Sequence, residues 1–118
     1  MHELGIAQNI LEIVRQHVPE SDARLVRTVK VRVGDFSGVV ADSLEFCFSA
    51  IVAESPFAAA KMEIERVPTR ISCRLCGRVH ESDGVDFLCP ECGGGDIDIL
   101  SGRELDVVAI ELDKADAA

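Results

Sequence analysis

The sequence predicts an α+β fold: a small three-stranded sheet with two helices on one face, plus an inserted module built on four cysteines. Three observations carry that prediction. Two stretches place apolar residues at helical period, and three others read as strands. Between the second and third strands lies Cys73-Arg74-Leu75-Cys76, then twelve residues, then Cys89-Pro90-Glu91-Cys92. At 118 residues the chain is one domain, or a small domain carrying a smaller insertion.

The first helix is predicted over residues 4–18. Leu4, Ile6, Ala7, Ile10, Leu11, Ile13, Val14 and Val18 fall on one broad arc, and Gln8, Asn9, Glu12, Arg15 and Gln16 on the other. His17 sits in the last turn, where a cation complements the helix dipole. Pro19 stops the helix, and Glu20 to Ala23 read as a polar connection. Arg27 to Val33 alternates cleanly: Val29, Val31 and Val33 face one way, Thr28, Lys30 and Arg32 the other. Gly34-Asp35-Phe36-Ser37-Gly38 ends this strand with turn chemistry.

Asp42 is expected to cap a second helix, with Glu45 completing a capping box. Leu44, Cys47, Phe48, Ile51 and Val52 form its apolar stripe, and Phe46 points away from it. In that stripe Cys47 reads as a small buried hydrophobe. Met62 to Val67 alternates again and ends at Pro68. After the cysteine segment, Ile97 and Ile99 suggest a short strand, Ser101-Gly102 a turn, and Leu105 to Leu112 a third long strand that rejoins the sheet. Residues 113–118 should fray. One sheet face, carrying Thr28, Lys30, Arg32, Glu63 and Glu65, is left to water. The expected division is 1–68 with 101–118 as an α/β domain and 69–100 as a second, metal-binding one.

Each Cys-x-x-Cys places two thiolates on one tight turn, and two facing turns complete a tetrahedral sulfur shell. Cys73, Cys76, Cys89 and Cys92 therefore read as a zinc-ribbon site, closed and structural because four thiolates leave no open position. Gly77 and Gly93 let the chain turn behind the sulfurs, so that backbone N–H groups can point at them. Val85 and Phe87 are expected as an apolar plug under the metal, and His80 as a polar surface residue, with substitute ligand as its other reading. Two disulfides would need an oxidising compartment, and a thioredoxin-type redox pair would need a βαβ unit.

The net charge of −9 disfavours nonspecific nucleic-acid binding. Arg70, Arg74 and Arg78 in the cysteine segment are offset by Glu81, Asp83, Asp86 and Glu91. No apolar run reaches bilayer length and no signal peptide precedes the first helix, so no membrane role and a cytoplasmic, thiol-reducing location are expected. The odd fifth cysteine, Cys47, suits that location.

Met1-His2-Glu3 offers a second, different metal chemistry. The Met1 amine and the His2 amide close a five-membered chelate ring, and the His2 amide and Nδ1 a six-membered one. Nitrogen donors in one plane suit Ni(II) or Cu(II). Many chains begin Met-His, so this pair alone identifies nothing.

Taken together, Met1-His2-Glu3-Leu4, Gly34-Asp35-Phe36-Ser37-Gly38-Val39, Ser43-Leu44-Glu45-Phe46, Glu63-Ile64-Glu65, the two Cys-x-x-Cys pairs and Ser101-Gly102-Arg103-Glu104-Leu105 resemble the HypA/HybF hydrogenase maturation proteins. The resemblance spans residues 1 to about 112. It implies a nickel metallochaperone for [NiFe]-hydrogenase assembly, not an enzyme. Nickel would be held by the Met1 amine, the His2 imidazole and amide and the Glu3 amide, with Glu3 also orienting the ion, and structural zinc by the four cysteines. It further implies two partners, a HypB-type maturation GTPase and the hydrogenase large-subunit precursor; some members serve urease. Many members carry an acid where this chain has Val40.

Two other readings compete. A zinc-ribbon module that binds nucleic acid or a transcription complex would need a basic patch. A small metalloenzyme would need an open metal position beside a general base, and an exposed His2–Glu3 pair excludes water poorly.

Overall fold

A computed structural model of the chain describes residues 3–82 and 87–113. It bears out the mixed α+β class. The elements run α1 (Glu3–His17), a short 3₁₀ helix (Glu20–Leu25), β1 (Val26–Gly34), α2 (Ala41–Val52), β2 (Lys61–Val67), β3 (Thr69–Cys73), β4 (Val79–Ser82), β5 (Ile97–Ser101) and β6 (Leu105–Leu112). Two three-stranded sheets form, one in the order β2-β1-β6 and the other β4-β3-β5.

The chain divides into two compact units, one comprising residues 1–32, 40–65 and 106–118, the other 33–39 and 66–105. The second thus takes in the turn after β1 as well as the cysteine segment.

In the first unit α1 and α2 pack against each other. The predicted arc of α1 buries Ile6, Ala7, Ile10, Leu11 and Val14, and Val18 follows just beyond its end. Leu4 and Ile13, at the margins of that arc, stay exposed. His17 Nδ1 donates to the Ile13 carbonyl at 2.8 Å, a bond that finishes the helix. On α2, Leu44, Phe48 and Val52 are fully buried, one helical turn apart. Cys47 and Ile51 flank that row and are only half-buried, so Cys47 is not the core residue its place in the stripe suggested.

The helix cap is a second correction. α2 begins at Ala41 with Val40 at the N-cap, and no side chain caps it. Asp42 lies inside the first turn, where its charge still favours the positive helix end. A third concerns the polar connection expected over Glu20 to Ala23: it lies in the 3₁₀ helix, which buries Ala23 and Leu25.

β1 occupies the middle of its sheet and is half-buried, as its alternation predicts. Val29, Val31 and Val33 are buried, and the opposite face carries charge pairs at the surface. Lys30 meets Glu111 at 3.4 Å and Arg32 meets Glu65 at 3.6 Å. At the end of the strand, Arg27 Nε donates to Asp113 at 2.6 Å. Half-exposed pairs of this kind contribute under about 1 kcal/mol each, so the valine face, not the charges, holds the strand in place.

In the second unit β3 is the centre of an antiparallel sheet. Ile71 stands opposite His80 on β4 and Ile99 on β5, and Cys73 stands opposite Ile97. The predicted strand at Ile97 and Ile99 is β5; β3 and β4 were not foreseen. The turn at residues 34–36 is tied to the segment 102–104 by Gly34 N–H to the Glu104 carbonyl at 2.7 Å and Phe36 N–H to the Gly102 carbonyl at 2.6 Å.

Candidate metal centre

Cys73 ends β3, and Cys76 lies on the turn between β3 and β4. Cys89 and Cys92 lie on a second turn before β5. The two turns are built alike, sixteen residues apart. Cys73 N–H donates to the Arg78 carbonyl at 2.9 Å, and Cys89 N–H to the Gly94 carbonyl at 2.9 Å. Gly77 N–H returns to the Cys73 carbonyl at 2.8 Å, and Gly93 N–H to the Cys89 carbonyl at 2.7 Å. Gly77 (φ 74°) and Gly93 (φ 72°) adopt the left-handed conformation that a side chain would resist, which is why the glycine follows each pair. Both turns follow the Cys-x-x-Cys-Gly pattern from which the sequence predicted them.

The four sulfurs all lie within 4.8 Å of one another. Cys73 Sγ is 3.6 Å from Cys92 Sγ, and Cys76 Sγ is 3.6 Å from Cys89 Sγ. A disulfide needs about 2.05 Å. Four sulfurs about 2.3 Å from a central zinc stand about 3.8 Å apart, and the observed cluster matches that spacing. Cys73 and Cys89 are buried, whereas Cys76 and Cys92 are exposed.

The backbone prepares the inner pair for negative charge, as the glycine turns promised. The Cys73 thiol is lowered to about 7, chiefly by the Cys76 N–H, with the Leu75 N–H assisting against desolvation. Cys89 is lowered in the same manner by the N–H groups of Cys92 and Glu91. The outer pair behaves oppositely. The Gly94 N–H favours a thiolate at Cys92, but the bonds shared with Cys73 and Cys89 outweigh it and push the thiol up to about 11. The Arg78 N–H favours a Cys76 thiolate, and desolvation together with the neighbouring thiols overrides it and raises the group. Without a cation the shared hydrogen bonds and desolvation favour the protonated forms of Cys76 and Cys92; a divalent cation would favour the thiolate at all four.

Around this cluster, Arg74 grips Asp98 with two nitrogens, at 3.1 and 2.5 Å, and reaches Asp96 at 3.4 Å. This clamps the first turn to the start of β5. Arg78 meets Glu91 at 3.7 Å, turn to turn.

Two expectations about the surroundings are revised. His80 is half-buried opposite Ile71, with Nε2 sealed from solvent and without a hydrogen-bond partner among the described residues, rather than on the surface. It is not one of the converging ligands. Phe87 packs edge-to-face on Phe36, with centroids 5.0 Å apart, and Arg103 lies over the Phe36 ring at 5.6 Å. Its place is therefore an aromatic cluster with the 34–38 turn, a contact that sequence spacing gave no means of finding. Val85, the other half of the expected plug, lies outside the described residues.

Of the N-terminal residues, Met1 and His2 also lie outside the described residues. Glu3 opens α1, half-buried in its first turn. Val40 stands exposed at the N-cap of α2.

The family described as "Hydrogenase/urease nickel incorporation, metallochaperone, hypA" matches residues 1–112. The hydrogenase maturation factor HypA of Desulfosudis oleivorans is 45% identical over 113 residues, covering 95% of this chain and 98% of its own. That of Streptomyces avermitilis is 41% identical, covering 93% of this chain and 86% of its own. Among solved structures, the Ni metallochaperone HypA from Helicobacter pylori superimposes with a TM-score of 0.63 at 21% identity, over 95% of this chain and 97% of that one. At that identity the likeness speaks to fold alone.

Proposed function

The chain belongs to the HypA family of hydrogenase-maturation nickel metallochaperones, and we propose on that premise that it binds Ni(II) at its N-terminus and hands it on for assembly of a [NiFe]-hydrogenase. The observation that carries the reading is the family match over residues 1–112, which brings Met1-His2-Glu3 within it.

The ligands proposed for nickel are the Met1 amine, the His2 amide and imidazole and the Glu3 amide. Zinc is proposed for Cys73, Cys76, Cys89 and Cys92, where the sulfur spacing and the N–H groups aimed at the sulfurs support it. In this scheme the nickel site belongs to residues 1–68 and 101–118, and the zinc site to 69–100. The division of labour is chemical. Four thiolates hold zinc with apparent energies of roughly 10–16 kcal/mol, too firmly for a cargo. Amine, amide and imidazole nitrogens at a chain terminus take up the ion and release it to a competing ligand set.

The proposed partners are a HypB-type GTPase on the loading side and the hydrogenase large-subunit precursor on the receiving side, in the cytoplasm. No described helix is long and apolar enough to cross a membrane. The protein acts in this scheme as a carrier and performs no bond chemistry.

Replacing His2 with alanine tests the reading. We expect loss of nickel binding in equilibrium dialysis with an unchanged zinc content and an unchanged circular dichroism spectrum. Nickel bound at the wild-type ratio by His2→Ala would refute it.

A further inference from the structure

The two outer sulfurs of the cluster are open to solvent, whereas the two inner ones are sealed. Cys76 and Cys92 are exposed, while Cys73 and Cys89 are each only 1% exposed. Beside each exposed sulfur stands a buried one, and that neighbour comes from the other turn. Cys92 Sγ lies 3.6 Å from Cys73 Sγ, and Cys76 Sγ lies 3.6 Å from Cys89 Sγ. An accessible thiolate with a second cysteine poised next to it is the arrangement that peroxide converts to a disulfide.

The two turns are also held together by bonds that need no metal. Arg74 N–H donates to the Asp96 carbonyl at 2.9 Å, and the Arg74 guanidinium grips Asp98. Arg78 reaches Glu91 from one turn to the other. β3 runs beside β5 as far as the pairing of Cys73 with Ile97. The sulfurs of each cross-turn pair therefore stay within reach of one another when a metal leaves. Closing from 3.6 Å to the disulfide length of about 2.05 Å asks for a small movement of the side chains.

We propose that this centre is a peroxide-sensitive modification site, at which oxidation joins Cys73 to Cys92 and Cys76 to Cys89 and displaces zinc. The proposal rests on the assignment of zinc to the four cysteines and goes beyond it: a closed site needs only to hold its ion, and here two of its sulfurs can also react. With zinc bound all four sulfurs are thiolates, so access decides which reacts first, and access favours Cys76 and Cys92. The exposed thiolate attacks one peroxide oxygen, the O–O bond breaks, and the sulfur becomes a sulfenic acid as the other oxygen leaves as hydroxide. The buried thiolate beside it then attacks that sulfur, the S–O bond breaks, and a second hydroxide leaves as the S–S bond forms. Each disulfide thus gives up two electrons to one peroxide, and solvent protons turn the two hydroxides into water. Neither disulfide retains the thiolates that hold zinc.

The test uses the full untagged chain loaded with zinc, in a Cys47→Ser background that removes the cysteine outside the cluster. Zinc content is measured before treatment, and hydrogen peroxide is then added in a few-fold molar excess beside a zinc-binding dye. Connectivity is read by mass spectrometry after cleavage with trypsin and a glutamate-specific protease. Cuts after Arg74, Arg78 and Glu91 place the four cysteines on four separate peptides. We expect release of about one zinc per chain. The 71–74 peptide should be linked to the peptide that begins at Cys92, and the 75–78 peptide to the one that ends at Glu91. Dithiothreitol should restore the thiols and the uptake of zinc. Amide exchange at residues 71–73 should stay as slow in the oxidised chain as in the zinc-loaded one, because the cross-turn bonds keep β3 tied to the second turn. Pairing within a turn, or of Cys73 with Cys89, overturns the proposal, as does oxidation of Cys76 and Cys92 to sulfinic acid without disulfides. Fast exchange at 71–73 after oxidation contradicts it as well. Zinc and thiols retained under peroxide overturn it while leaving the zinc assignment intact; a chain that holds no zinc before treatment fails on that assignment and takes this proposal with it.

Discussion

Gly34 and Gly102 meet where the chain leaves β1, and the contact depends on both lacking a side chain. A methyl group on Gly34 would lie 2.0 Å from the Gly102 carbonyl oxygen and 2.7 Å from the Arg103 nitrogen. The obstruction is backbone, so nothing can rotate out of the way. Gly102 in turn has φ 116° and sits against the fully buried Thr69, 2.6 Å from where its own Cβ would be to the Thr69 Oγ1. We predict that Gly34→Ala lowers stability by about 1–3 kcal/mol, the usual range for an overpacked site. Urea unfolding checks this, and a midpoint within error of wild type would show that the two segments separate freely. In the sequence Gly34 and Gly102 were only turn markers; their closeness is a tertiary fact that no local pattern encodes. The same holds for Phe36 with Phe87 and for the half-buried His80. By contrast the valines of β1 and the buried face of α1 were legible at once, because their spacing alone decides which side meets the core. Asp42 shows the limit of a cap signature: Asp-x-x-Glu matched the pattern, yet the helix starts one residue earlier, at Ala41.

At the scale of elements, the long helices and strands were readable, and so was the five-residue β5 from Ile97 and Ile99, whereas β3 and β4 were not. In those two strands the Thr, Arg, Ser, His and Glu residues leave too few apolar positions for a period to register, and Pro68 looked like the end of a strand rather than a joint between two. The sulfur cluster, on the other hand, was fully legible, since Cys-x-x-Cys-Gly dictates its own turn. The turns predict a pH dependence. Cys76 and Cys92 both titrate above the ordinary thiol range, and Cys73 near 7 is about half protonated at neutrality. Zinc binds thiolates, so loading the site at pH 7 should displace at least two protons, and affinity should rise as pH rises. Calorimetric titration in buffers of different ionisation enthalpy measures that number. A release below one proton per zinc would mean that the thiols are already ionised, and that the backbone and neighbour effects assigned above are wrong.

At the scale of the whole molecule, one short chain is assigned two metals with opposite requirements. The sulfur cluster is assembled by the fold: a strand end, a turn and a second turn bring four donors within 4.8 Å. The proposed nickel site needs no such assembly, because its donors are consecutive along the chain. That is why the first was recognisable from spacing, whereas Met1-His2-Glu3 gained meaning only through the resemblance that spans residues 1–112. The two sites should therefore fail independently. The most direct measurement is the metal content of untagged protein compared with a version bearing one extra residue before Met1. The extension converts the terminal amine to an amide while sparing every side chain. We predict that zinc stays at one per chain in both and that nickel binding is lost in the extended form; nickel retained at the wild-type ratio and affinity would contradict the account.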